Sequence, residues 1–141
     1  MNVLNIVIAV AALALSVFTA VGFYKAGSFK AKSSRETLLG AGFGWVEKTP
    51  FGVVRLIAWL EILGAVGIVL APVFAYVVPG FAWAQAWGVA AAAGLALTMI
   101  VAFWVHAARG EAKYTWKMNL NLFLVSAVSA VLQAIVVLPL F

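Results

Sequence analysis

Four apolar stretches, each about long enough to cross a bilayer, dominate this chain and leave few folds open to it. They run over residues 3–23, 51–70 with an extension towards 78, 83–105 and 118–138. A hydrocarbon core of about 30 Å takes about 20 helical residues. Backbone polar groups in lipid must find partners within their own segment, and a helix provides them. The expected fold is therefore all-α: an integral membrane four-helix bundle, with residues 1–141 as a single transmembrane domain. Composition leads the same way. Hydrophobic residues make up 67% of the chain and charged residues 9%, against roughly 45–50% and 25% in soluble domains. A soluble globule of this size has too much surface to hide that share. A signal peptide is the competing reading of the first stretch; no basic segment precedes the run and it is long for such a segment, so it is taken as a helix of the mature protein.

The charges are placed unevenly. All nine Lys and Arg lie from Lys25 to Arg55 or from Arg109 to Lys117. By the positive-inside rule the loops 25–50 and 106–117 face the cytoplasm, and both termini lie outside. The expected location is the cell (plasma) membrane, as a multi-pass protein. The net charge of +5 then reads as a set of topology determinants against anionic headgroups; membrane lipids are the expected partners and nucleic acid is not. Ser33 to Leu39 reads as a short interfacial helix in the first cytoplasmic loop, broken by Gly40, Gly42 and Gly44. Trp45 and Phe51 suit interface anchors, and Tyr76, Trp83 and Trp87 an aromatic belt beside the uncharged Pro79-Gly80 turn. The chain has no cysteine, which excludes disulfides, thiolate metal sites and thiol–disulfide chemistry.

Polar residues inside the spans are the candidates for function. Glu61 stands in Leu60-Glu61-Ile62-Leu63-Gly64, about 9 Å deeper than Arg55 at ~1.5 Å per residue. A carboxylate is costly there and marks function by default; the bland alternative is a neutral acid bonded to a carbonyl or to a partner on the first or fourth span. Ala58, Gly64 and Ala65 beside it let another helix come close, so it is expected to face the bundle. His106, the single histidine, sits about 4–5 Å inside the level of Arg109, on the face of Thr98 and Ala102; its bland reading is an interfacial residue bonded to water or headgroups. Asn119 and Asn121 lie at a similar depth on opposite faces, so one of them faces inward more easily than both. Glu61 and His106 are expected to share one polar pocket open to the cytoplasm. Ser16, Thr19 and Gln133 are mild polar residues that more often bond their own helix or a neighbour than a ligand. One histidine and one buried carboxylate fall short of a haem or di-iron ligand set, so no metal is expected. Gly64 and Gly67 read as packing positions.

Several pieces, in order, resemble one family. Gly22-Phe23-Tyr24-Lys25 closes the first span. Pro50-Phe51-Gly52-Val53-Val54-Arg55 leads into Leu60-Glu61-Ile62-Leu63-Gly64 and on to Ala71-Pro72. Met99-Ile100-Val101-Ala102 leads to His106-Ala107-Ala108-Arg109-Gly110-Glu111, and Asn119 follows near the start of the fourth span. Over nearly the whole chain this is similar to the DoxX-like family of small bacterial membrane proteins. The resemblance implies a four-helix bundle, and some relatives are membrane subunits linked to quinone-dependent thiosulfate oxidation or working beside redox enzymes. Carried over residue by residue, the family pattern lands on Lys25, Glu61, His106 and Asn119.

Three functions follow as expectations. In the first, the bundle binds a quinone or another hydrophobic small molecule, as a membrane subunit of a redox system with a redox partner protein; Glu61, His106, Asn119 and Lys25 are the ligand-binding or proton-carrying residues. In the second, the chain is a non-catalytic accessory subunit or assembly scaffold that docks a partner or a copy of itself as a homo-oligomer. The third is a small proton-coupled transporter.

Overall fold

The computed structural model describes residues 2–137. Four helices in it are long and apolar enough to cross a membrane: α1 (Val3–Lys32), α3 (Phe51–Val77), α4 (Ala84–Ala108) and α5 (Ala112–Val137), with the short α2 (Arg35–Gly40) between the first two. The described residues contain no strand. The long helices form a closed bundle in which α1 and α4 each pack against both α3 and α5. Neighbours are antiparallel: a Cβ on Gly27 of α1 would meet Ala58 and Ile62 of α3, and one on Gly64 of α3 would meet Leu95 of α4. The expected all-α membrane bundle is the observed architecture. The expected end of the last span, residue 138, lies outside the described residues.

Hydropathy marks where lipid ends, and helices run further. The first span is read from sequence as closing at residue 23, yet α1 continues unbroken to Lys32. Nothing in Tyr24 to Lys32 forbids a helix, and its 30 residues reach about 45 Å. Its last carbonyls, which have no partner inside the helix, are covered by Arg55 of α3. The Arg55 guanidinium donates to the carbonyl of Lys30 at 2.8 Å, to that of Ser33 at 2.9 Å and to that of Ala31. Arg55 also lies over the Phe51 ring, 4.5 Å from its centroid.

The first polar loop is a folded cover. The Ser34 hydroxyl accepts from the backbone N–H of Thr37 and caps α2, where a short polar side chain is favoured. The helix ends at Gly40, and two residues on the chain turns at Gly42, whose φ of 92° is open to glycine at no steric cost. A 3-10 turn, Gly44–Glu47, follows. Buried Leu38, Val46 and Val54 bind this cover to the start of α3. The interfacial helix expected at 33–39 is α2.

Pro72 lies inside α3 without ending it. Proline lacks the N–H that would bond the carbonyl four residues earlier, here that of Ile68. Gln133 of α5 supplies the missing donor: its Nε2 lies 2.9 Å from that carbonyl.

Candidate functional site

At the loop end of the bundle Lys30 Nζ lies 2.6 Å from Glu61 Oε2. Both residues are buried, at 6% and 3% exposure. Gly27 makes the pair possible. Its missing Cβ would lie 2.8 Å from the Ala58 carbonyl and 3.2 Å from Glu61 Cβ, so α1 and α3 touch backbone to backbone one turn before Lys30. The lysine sits almost at the end of α1 and turns its chain back into the bundle. The Phe43 ring lies beside its ammonium, at 5.8 Å from the centroid.

The pair lines a cavity of about 180 Å³ whose walls also include Trp45, Met99, His106 and Asn119. Asn119 is buried and its Nδ2 has no hydrogen-bond partner among the described residues. Met99 and Asn119 also line a groove of about 250 Å³ between α4 and α5, so the asparagine stands in the wall between two spaces. Asn121 is exposed, which leaves Asn119 as the inward-facing member of the two.

His106 reaches the cavity from the end of α4. Its Nδ1 lies 2.9 Å from Glu111 Oε2, and Arg109 Nε donates to Glu111 Oε1 at 2.9 Å. The turn makes this clasp. Glu111 N–H donates to the His106 carbonyl at 2.8 Å and Gly110 N–H to that of Ala107 at 3.0 Å, with Gly110 at a φ of 72°. That is a Schellman ending, and it folds Glu111 back over the histidine. Hydrogen bonds from His106 and then Arg109 hold the Glu111 carboxyl below the ordinary range. The first loop closes on the same point, because a Cβ on Gly44 would lie 2.8 Å from an Arg109 guanidinium nitrogen and 2.9 Å from Glu111 Oε1.

A sequence profile of the DoxX-like family matches residues 14–130, from within α1 to within α5, and so includes every residue of this site. The chain belongs to the DoxX-like family. No curated protein and no solved structure matches it.

In this DoxX-like bundle three of the four residues singled out from sequence, Glu61, His106 and Asn119, line one cavity. The fourth, Lys25, is exposed on α1 and is not among the residues lining it. Glu61 and His106 share the pocket as expected, but each has a nearer partner, Lys30 for the acid and Glu111 for the histidine. Lys30 is the residue that sequence reasoning missed. It reads as one more loop cation because the apolar run stops before it; the signal that could have found it is the helical continuation of Tyr24 to Lys32, which sets Phe23, Gly27 and Lys30 on one face. Gly64 and Gly67 are packing positions, against Leu95 and Ala91.

Proposed function

We propose that this protein binds the polar end of an apolar small molecule in the cavity beside Lys30 and Glu61, with a quinone as the ligand chemistry that suits it. The observation that carries this reading is a buried ion pair beside an unsatisfied amide donor, on the wall of a mostly apolar cavity. Charges inside a membrane bundle are costly, and they mark ion, proton or ligand paths. An unpaired buried donor costs about 1–3 kcal/mol, which a carbonyl-bearing ligand would offset. The space of about 180 Å³ suits a ring-sized head group; a tail would leave past Val101 and Val105, which are exposed at its rim.

The residues fit such a group. Asn119 Nδ2 and Lys30 Nζ donate to a carbonyl oxygen. Glu61 holds or releases a proton at the same place, and His106 links the cavity to the polar loops. A bound quinone supplies two-electron, two-proton redox chemistry; the chain supplies orientation, exclusion of water and a place for the proton. On this reading the protein is a membrane subunit of a redox system in the plasma membrane, its polar loops in the cytoplasm. Membrane lipids, a redox partner protein and further copies of the chain are its partners.

The test uses the protein in phosphatidylcholine nanodiscs, titrated with a short-chain benzoquinone and read by quenching of Trp45 against a Trp45→Phe control. Saturable quenching is expected, weakened about tenfold in Asn119→Leu, the equivalent of one lost hydrogen bond. Quenching that does not saturate, or that is unchanged in Asn119→Leu, would reject the reading in favour of a non-catalytic scaffold.

A further inference from the structure

The groove of about 250 Å³ between α4 and α5 opens to the outside of the bundle. Its floor is the buried pair Met99 and Asn119; its walls are Ile100 and Phe103 of α4 and Trp116 and Leu120 of α5, all four exposed. It also includes Phe123, so it runs about 10 Å along α5 from Trp116. On a bundle surrounded by lipid such a space fills with hydrocarbon, because an empty one leaves its walls without contacts.

The charges at its mouth add a second feature. Lys113, Trp116, Lys117 and Leu120 stand at i, i+3, i+4 and i+7 on α5 and so share one face. Trp116 and Leu120 of that face line the groove, and Lys117 Nζ lies over the Trp116 ring, 5.6 Å from its centroid. Both lysines are exposed. Helical side chains lean towards their own N-terminus, and α5 begins at the charged end of the bundle, so the two ammonium groups reach from the groove towards the headgroup layer. One turn apart, their Cβ atoms are about 5–6 Å from each other and their like charges repel; one phosphate can sit between them. The protein supplies no anion there. Glu111, the acid of the turn, is held by His106 and Arg109, and neither lysine is in an ion pair among the described residues.

The larger space at the other end of the bundle, about 350 Å³ beside Ser16, Gln85 and Gln133, is a useful contrast. Its rim is apolar and exposed at Ile6, Val10 and Leu13, and none of the residues lining it is charged. It has room for a chain and nothing with which to choose a headgroup.

We propose that the groove between α4 and α5 is a binding site for an anionic phospholipid, with an acyl chain between Phe103 and Leu120 and the phosphate on Lys113 and Lys117. The apolar groove fixes where the chain lies, and the two lysines select the charge of the headgroup above it. The site uses neither Lys30 nor Glu61 and stands apart from the quinone reading.

The experiment places the protein in nanodiscs of equal parts phosphatidylcholine and phosphatidylglycerol, releases it into a mild non-ionic detergent and reads the retained lipid by native mass spectrometry. The wild type is expected to keep phosphatidylglycerol in preference to phosphatidylcholine. Lys113→Gln and Lys117→Gln are each expected to lower that preference about fivefold, the effect of one cation at a membrane surface. Lys48→Gln, an equal loss of charge on the cover and on neither helix of the groove, is expected to leave it unchanged. Leu120→Trp fills the groove at an exposed position with both lysines in place, and it is expected to abolish retention. No preference in the wild type, or a loss in Lys48→Gln as large as in the other two lysine variants, would overturn the site in favour of diffuse surface charge. Phosphatidylglycerol retained by Leu120→Trp would also overturn it. So would a dimer that Leu120→Trp abolishes, because a second copy of the chain would then fill the groove.

Discussion

A carboxylate two turns inside a membrane helix persists only where something replaces its lost hydration. For Glu61 that replacement is Lys30, 2.6 Å away and as deeply buried. Two buried charges this close stabilise each other, but their joint desolvation consumes most of the gain. The worth of the pair therefore shows when one member is removed. Lys30→Met and Glu61→Leu should each destabilise the protein by about 3 kcal/mol, because each strands the other charge. The double variant should lie close to the wild type, since two apolar side chains of similar volume pack there without a charge to solvate. Reversible unfolding in mixed micelles checks this, and costs that simply add in the double variant would show that the two side chains do not act as a pair.

At the level of elements, the helices of this bundle are completed by their neighbours. Arg55 closes α1 from α3, and Gln133 mends α3 from α5. The second case can be taken apart. Gln133→Leu leaves the Ile68 carbonyl without a donor in an apolar interior, at a cost of about 1–3 kcal/mol. Pro72→Ala restores the N–H that α3 lacks at that turn. In a Pro72→Ala background Gln133→Leu should therefore cost less than it does alone. Thermal unfolding of the four proteins measures the difference, and an equal cost in both backgrounds would mean that the Ile68 carbonyl is not what Gln133 sustains.

For the whole molecule the strongest asymmetry is between the two ends of the bundle. Every Lys and Arg lies towards one end, in the cover and in the α4–α5 turn or the helix ends beside them. The α3–α4 turn at the other end carries none. The expected topology has the charged end in the cytoplasm. Because the chain has no cysteine, single cysteines report position cleanly. In intact cells a membrane-impermeant maleimide should label Pro79→Cys and should reach Ala41→Cys only after the membrane is opened. Both positions are exposed in the monomer, and the reverse pattern would invert the topology.

The count of membrane helices, their antiparallel order, the interfacial helix after α1 and the inward placing of one of Asn119 and Asn121 could be derived from residues alone; which of the two it is came from the packed bundle. They depend on local quantities: the hydropathy of about 20 consecutive residues, loops too short for any crossing but an antiparallel one, and the face a residue takes on its own helix. That Glu61 has to be sheltered within the bundle is legible for the same reason, since the cost of a charge in lipid depends on where it is. Who shelters it is not. The ion pair exists because α1 runs nine residues past its apolar stretch and because Gly27 admits the Ala58 carbonyl, which brings Lys30 level with an acid 31 positions later in the chain. The cluster of Ser16, Gln85, Ser129 and Gln133 joins three helices; Ser16 and Gln133 read as mild polar residues, and Gln85 and Ser129 carry no signal of their own, until α1, α4 and α5 meet. Burial is priced one residue at a time, whereas pairing needs two helices at a fixed height and distance, and only the packed bundle sets both.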